Sequence, residues 1–422
     1  MLSATITASV RDADSVAASI HAPVSGVANV LTPIVRVSGG GATIPLLGLL
    51  PGTAYTLRVV AYGPGGTELG PALPFTTGML PADLPAYVAT GPEPSPGFVA
   101  FAAGKYALVI DNTGRVVWYR HFPNGAGLNF MAQPTGRYVL RPQTPETGDL
   151  EPWVEIDPVG EIVRTLSCAS GLQPRLHDLL LEPDGAFWIL CDETRVMDLS
   201  AEGGVSAARV TGTVVQHVGA GGELLFQWNP FDHFDITDLD LADRIGPTVN
   251  WTHGNAFDFD ADGNLLVSFR SLAEITKIDV RTGAVVWRMG GLRNEFSFVN
   301  APVPAFARQH SARVPRGGEL VLLDNLGDPA ESRAERYLID EATRTVQLAQ
   351  SYGAVPAVVT EIGGSVQPIG GGRTLVSFGT AGRVEEYDAA GRLVWRIEGN
   401  PGYVFRAQRI RSLYQPGVGD PR

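Results

Sequence analysis

Two kinds of segment alternate along most of the chain. One is a glycine followed by a short apolar run that often carries tryptophan: GRVVWYR from Gly114, GEIVRTL from Gly160, GELLFQW from Gly222, GAVVWRM from Gly283 and GRLVWRI from Gly391. A degenerate copy, TRTVQLAQSYG, starts at Thr343. The other kind is a run, a glycine-containing turn and a second run: LNFMAQPTGRYVL, LHDLLLEPDGAFWIL, HGNAFDFDADGNLLVSF, QHSARVPRGGELVLL and GSVQPIGGGRTLVSF, with FRAQRIRSLYQ near the C-terminus as a sixth candidate. Short apolar or alternating runs bounded by Gly, Pro, Asn and Asp read as strands joined by tight turns. Six pairs of about four strands each, at a spacing of roughly 45–60 residues, predict an all-β chain whose main body is a six-bladed β-propeller. FRAQRIRSLYQ is expected to join the blade begun at 98–120, so that the two ends of the ring pair and no sheet edge is left open. The stretch between Asn229 and Asn250 is expected as a loop insertion, and the tryptophans as filling between blades.

Residues 1–80 lack this repeat. ATITASV alternates, and LLPGTAYTLRV, Leu49 to Val59, resembles the E–F corner of fibronectin type III domains, in which a tyrosine, here Tyr55, ties its hydroxyl to nearby backbone. The resemblance implies a small β-sandwich over 1–80. Pro81-Ala82-Asp83-Leu84-Pro85 then opens a stiff linker over 81–97, leading into the propeller at 98–422.

Composition adds mostly exclusions. At 44% hydrophobic and 18% charged, the 422 residues suit a folded globular chain. No run of about 18 apolar residues occurs, so no membrane span is expected. The start, MLSATITASV, has neither the basic nor the apolar region of a signal peptide, which leaves either a cytoplasmic protein or one whose leader has been removed. A net charge of −12 argues against nucleic acid, whose phosphates call for a basic face. A few Arg and His can still make a local positive spot for a small anion. Cys168 and Cys191 could pair or be two buried small apolar residues, and two cysteines make no Cys-based zinc site. DFDADG at 258–263 has Phe269 where a calcium loop needs its twelfth-position Glu, so it reads as a hairpin turn. The GGG runs at 39 and 370 lack a following Lys-Ser/Thr and are turns as well.

The histidines change the picture. Aligned on their turn glycines, the hairpin units begin at Asn129, His177, Asn255, His310 and Ser365, and His253 lies two positions before Asn255, on the same strand face. First strands of successive blades line the central channel, so His177, His253 and His310 converge on the axis from three blades. Arg270 ends the second strand of the hairpin that starts at His253, and a guanidinium there can fork onto two oxygens of an oxyanion. His21, His121, His217 and His233 fall in loops or outer strands.

With those residues in place, HGNAFDFDADGNLLVSFR, then LAEITKIDVRTGAVVWRMGG, QHSARVPRGGELVLLDNLGD and SRAERYLID resemble the bacterial arylsulfate sulfotransferases over roughly 98–415, most closely over 175–340. That resemblance implies a six-bladed propeller with a small N-terminal β-sandwich. It implies ping-pong transfer of a sulfuryl group from an aryl sulfate donor to a phenolic acceptor through a sulfohistidine, with no nucleotide donor, cofactor or metal. His310 corresponds to the nucleophile, His253 and Arg270 to residues holding the sulfuryl oxygens, His177 to a third histidine on that side and Asn255 to a supporting polar residue. Tyr403 and Tyr414 are candidates for the aryl side, as is Tyr119. His253 and His177 are expected as cationic donors or proton shuttles. The family's secreted enterobacterial members carry a short-range disulfide without a counterpart here, and the family's extracytoplasmic location is implied although no leader is seen. The oligomeric state, a homodimer included, stays open. A metal-dependent propeller hydrolase using the three histidines, and a non-catalytic binding module, are the alternatives; Arg270 beside the histidines disfavours the metal.

Overall fold

The structure, a computed structural model, describes residues 2–22, 29–143, 151–328 and 330–421. It is all-β: helix is confined to one turn, Leu241–Arg244, and four short 3-10 segments. Among the described residues no helix is long and apolar enough to cross a membrane.

The N-terminal part holds two antiparallel sheets. Ala4–Ser9 pairs with Gly41–Leu46, and Ser15–His21 pairs with Ala54–Gly63, with short strands on either side. Strand alternation turns Val16, Ala18, Ile20, Tyr55 and Leu57 inward, and they pack with Ile44 and Leu46 of the facing sheet. Tyr55 accepts the Leu50 N–H at 2.8 Å, the backbone tie anticipated from Leu49–Val59.

Among the described residues, six sheets of four or five strands follow, antiparallel except for one parallel strand added to each of two. Their innermost strands are β1 (Met131–Ala132), β2 (Gln173–Leu181), β3 (Gly254–Phe259), β4 (His310–Arg313), β5 (Ser365–Pro368) and β6 (Ala407–Ile410). β6 pairs with Phe98–Ala103, Phe98 opposite Ile410 and Phe101 opposite Ala407, so the C-terminal strand completes the first sheet as its sequence predicts. Ala89–Thr90, inside the stretch read as linker, adds a fifth strand to the last sheet.

An innermost strand has a ladder partner on one side only, and its other backbone groups need partners of another kind. Side chains supply them at every junction. Leu181 N–H donates to Gln133 at 2.9 Å, Phe257 N–H to Asp178 at 3.1 Å and Val314 N–H to Asp258 at 2.9 Å. Val366 N–H reaches Ser311 at 3.4 Å, Arg409 N–H Gln367 at 2.7 Å, and Ala132 N–H Gln408 at 2.9 Å. The belt therefore runs from β1 round to β6 and back to β1. Asp178 also pairs with Arg313 at 2.9 Å, both buried.

Trp118 and Trp395, on fourth strands, are fully buried and reach a turn of the neighbouring sheet, donating to Pro158 and Asn112 carbonyls at 2.9 Å. Each such side chain removes about 150–250 Å² from water, roughly 4–6 kcal/mol before entropy is counted. The insertion after Asn229 is ordered: two 3-10 turns, the helix Leu241–Arg244 and the strand Thr248–Asn250, which lies parallel to Ala208–Val218. Cys168 and Cys191 are disulfide-bonded, fastening the loop ahead of β2 to the strand beside it. Of the two readings the sequence left open, the pair is the one found.

Candidate active site

Each of the three histidines stands where an innermost strand leaves its ladder. The β2 register breaks between Pro174 and Leu179, the β3 register between Gly254 and Ala256, and the β4 register between His310 and Arg313. β1, β5 and β6 run without a break. Bulges of this kind re-aim side chains. His253, Arg308 and Ser311 moreover hold φ near +47°, +56° and +58°, a left-handed backbone that costs a non-glycine residue on the order of 1–3 kcal/mol and collects at functional sites.

The three rings meet. His177 Nε2 and His253 Nε2 are 3.3 Å apart, and the His177 and His310 ring centres are 6.4 Å apart. Phe405, just before β6, stands edge-on to both, 5.7 Å from His177 and 6.0 Å from His310. His310 is 1% exposed, so its proton positions follow from its neighbours. Its Nδ1 faces two acceptors, Asn325 Oδ1 at 2.8 Å and the Arg308 carbonyl at 3.1 Å. Nδ1 therefore carries the hydrogen, and Nε2 is unprotonated, its electron pair accepting the Gly363 N–H at 3.3 Å.

His177 has the opposite arrangement. Its Nδ1 accepts from Arg175 Nε at 3.3 Å. Arginine can only donate, so the ring's hydrogen is on Nε2, pointed at His253. His253 then carries its own hydrogen on Nδ1, 2.6 Å from the Asn250 amide, and an end-for-end turn of that amide gives it an acceptor.

The charges acting on the rings come from Arg175, Arg270, Arg308 and Arg406. Burial first, and then these guanidinium groups, hold His177 and His253 well below the usual histidine range. Burial, with Arg270 and Arg406, holds His310 down to about 4 against the upward pull of its bonds to Asn325 and Arg308. The expectation of cationic His177 and His253 is corrected accordingly: at neutral pH both are neutral, because a second cation beside buried guanidinium groups is unfavourable.

The other expected residues divide. Arg270 reaches the cluster; its Nη2 donates to the Glu361 carbonyl at 3.0 Å, and its buried Nε has no partner. Tyr403 packs on Phe405 with its hydroxyl buried, unpartnered and within reach of Arg270's charge. Burial raises its pKa, so it stays a hydroxyl donor. Asn255, two residues after His253 on β3, is fully buried, and its amide donates to the Gln309 carbonyl at 2.6 Å, which makes it a brace between β3 and the residue ahead of β4. Tyr414 is not brought to the histidines: its hydroxyl accepts from Leu47 N–H at 3.3 Å, where the N-terminal sheets meet the body. Tyr119 packs against Tyr106 in an outer strand. Arg175, Arg308, Asn325, Phe405 and Arg406 went unnoticed in the sequence. An Arg two residues ahead of a histidine, as in RLH at 175–177 and RQH at 308–310, was the signal available.

The three histidines offer nitrogens within 4.8 Å of one another, a spacing a metal ion could use. The donor set does not fit one. A metal-bound histidine gives its other N–H to an acceptor, whereas His177 Nδ1 meets an arginine donor, and Arg270 and Arg406 add positive charge beside Arg175 and Arg308, which are paired with Asp192 and Asp243. The same features suit an anion.

The model of the Arylsulfotransferase (ASST) family matches residues 173–400, more than half of the chain. The chain belongs to the arylsulfotransferase family. The matched span opens at β2 and includes the three histidines, Arg270 and Asn325. No curated protein matches the chain. Among solved structures it is similar to a protein of unknown function from Bacteroides caccae, at 12% identity over 72% of this chain and 93% of that one, with a TM-score of 0.45. It is similar to virginiamycin B lyase from Staphylococcus aureus, at 11% identity over 94% and 99% with a TM-score of 0.37. The third is regucalcin from Agrobacterium tumefaciens, described as a calcium-binding protein, at 16% over 76% and 95% with a TM-score of 0.36.

Proposed function

We propose that this arylsulfotransferase moves a sulfuryl group from an aryl sulfate ester to a phenolic acceptor by a ping-pong route through a sulfohistidine on His310. The observation that carries the reading is the bare Nε2 of His310, set among guanidinium groups rather than carboxylates. We also read the six sheets, with β6 closing the first, as a six-bladed propeller over 98–422, preceded by a fibronectin type III-like sandwich over 1–80 and a linker over 81–97.

An aryl sulfate is an anion, and negative charge builds on its aryl oxygen as the S–O bond lengthens, so positioning and charge stabilisation are the protein's main tasks. The His310 Nε2 pair forms the N–S bond, and the phenolate leaves with the S–O pair. The ring becomes cationic and keeps its Nδ1 hydrogen. Arg270, through its unpartnered Nε–H, holds the sulfuryl oxygens together with His253 and His177; Tyr403 faces the aryl side. A phenol then attacks sulfur and the N–S bond breaks back to Nε2. The phenol's proton passes to His253 Nε2, which gives up its contact with His177 Nε2 and gains a charge that the bound sulfate anion offsets, help typically worth about 10² to 10⁴ in rate.

Incubation with 4-nitrophenyl sulfate, with and without phenol, tests this. Acceptor-dependent nitrophenolate release, its loss in His310→Ala, and a sulfuryl adduct on His310 by intact mass are expected. Undiminished release from His310→Ala refutes the assignment. The close triangle of imidazoles is the one observation favouring a metal-dependent hydrolase; stoichiometric metal in the purified protein, with activity lost on chelation, would select that reading instead.

A further inference from the structure

We infer that Asn325 is a positioning residue that fixes both the reactive nitrogen of His310 and the turn opposite it, a role that rests on the transfer chemistry proposed above. Asn325 follows the strand Glu319–Asp324 and is wholly buried. Its Nδ2 donates to the Thr360 carbonyl at 2.8 Å and the Gly363 carbonyl at 2.9 Å. Carbonyls only accept, so these two bonds settle which end of the amide faces which way, and Oδ1 is left turned to His310 Nδ1.

The turn so gripped, residues 360–363, meets the other reacting groups. Gly363 N–H points at His310 Nε2 from 3.3 Å, and the Glu361 carbonyl holds Arg270. Ser332 fastens the same turn from behind, accepting Thr360 N–H at 2.7 Å and donating to the Asn325 carbonyl at 2.9 Å. Gly363 has φ near +71°, and a Cβ there would lie 2.5 Å from the Tyr403 hydroxyl, so neither the turn nor the tyrosine leaves room for a side chain. One amide thus links the nucleophile, the guanidinium and a backbone donor.

The consequence is chemical. When Nε2 bonds to sulfur, positive charge appears on the ring and its Nδ1–H becomes a stronger donor. Asn325 Oδ1 and the Arg308 carbonyl are the acceptors already in place, so this stabilisation grows along the reaction. Gly363 N–H loses the Nε2 pair as its acceptor at the same moment and is left facing the incoming sulfuryl oxygens.

The test uses the full chain labelled with ¹⁵N-histidine, the His310 signals being assigned by their loss in His310→Gln. The wild type is expected to show a protonated Nδ1 and a bare Nε2. Asn325→Ala is expected to mix the two tautomers and slow the first burst of nitrophenolate by about 10- to 100-fold, as loss of an orienting partner does elsewhere. Asn325→Asp keeps an acceptor at Nδ1 and should retain the tautomer and more of the burst than Asn325→Ala, an order that loss of packing alone would not produce. Should Asn325→Ala fail to fold, the wild-type tautomer and Asn325→Asp still decide. A wild-type burst from a ring protonated at Nε2, or an Asn325→Ala protein with tautomer and burst intact, overturns the role. Absence of a burst from the wild type removes the transfer reading itself.

Discussion

Lowering the pH from 7 to 5 should barely slow the first half-reaction. On the proposed route the nucleophile is neutral His310; a proton on Nε2 removes the attacking pair, so the rate falls as pH drops through the pKa of the folded protein. An exposed histidine would lose its pair near pH 6.5. His310 is held down to about 4, chiefly by burial and then by Arg270 and Arg406, and the loss moves to lower pH. At pH 5 about nine-tenths of His310 is then neutral, against about one-thirtieth of an ordinary imidazole, so the two cases differ roughly thirty-fold in rate. His177 and His253 are held below the usual range as well, by burial first and then by Arg175. The assay is single-turnover release of nitrophenolate from 4-nitrophenyl sulfate without acceptor, quenched into alkali so that all released phenol is read in one form. Single turnover isolates sulfur transfer to the histidine from acceptor deprotonation, which has a pH dependence of its own. Arg406→Gln removes one of the charges depressing His310 and should move the acid limb upward. A wild-type limb centred near 6.5 would refute the burial argument and, with it, the assignment of a desolvated nucleophile.

Replacing Cys168 and Cys191 by serine together removes a cross-link between positions 23 residues apart and should lower stability by about 3 kcal/mol, read as a fall in Tm; an unchanged Tm would mean the loop ahead of β2 is held without it. Arg313→Met removes the guanidinium paired with the buried Asp178 carboxylate and should destabilise by about 3–5 kcal/mol, much of it restored by adding Asp178→Asn; equal losses in single and double variants would show the pair is not what matters there. Tyr403→Phe should slow turnover of aryl sulfates, whereas Tyr414→Phe should leave kinetics unchanged and cost about 1 kcal/mol of stability, the worth of one neutral hydrogen bond. The reverse pattern would return Tyr414 to the aryl side.

The strand framework and much of the cluster were legible because both depend on local pattern. Runs such as GRVVW and GAVVW and the hairpin turns recur along the chain, and aligning the turns puts His177 and His310 in one register. Tyr55 and the closing strand Ala407–Ile410 could be read for the same reason. Other residues were hidden for identifiable reasons. Arg406 and Phe405 reach the histidines only because the ring closes, about 230 residues from His177 in sequence, and no local period signals such a contact. Asn325 sits in DNLGD, a stretch that reads as a turn, and its role depends on carbonyls of a different sheet. Tyr414 was misplaced by the opposite error: a tyrosine late in the chain carries no mark of which end of the ring it faces. Nor could charge state be read, since the neutrality of His177 and His253 follows from burial and from arginines that alignment did not bring together.

The pairing of β6 with Phe98–Ala103 also sets an order of assembly. Phe405 and Arg406 arrive directly ahead of the strand that shuts the ring, long after all three histidines have been synthesised. A nascent chain emerging from the ribosome therefore carries His310 well before the aromatic edge and the guanidinium that flank it can dock. On the proposed route, a chain clipped or stalled before Phe405 would carry every histidine and lack the groups that desolvate and charge the site.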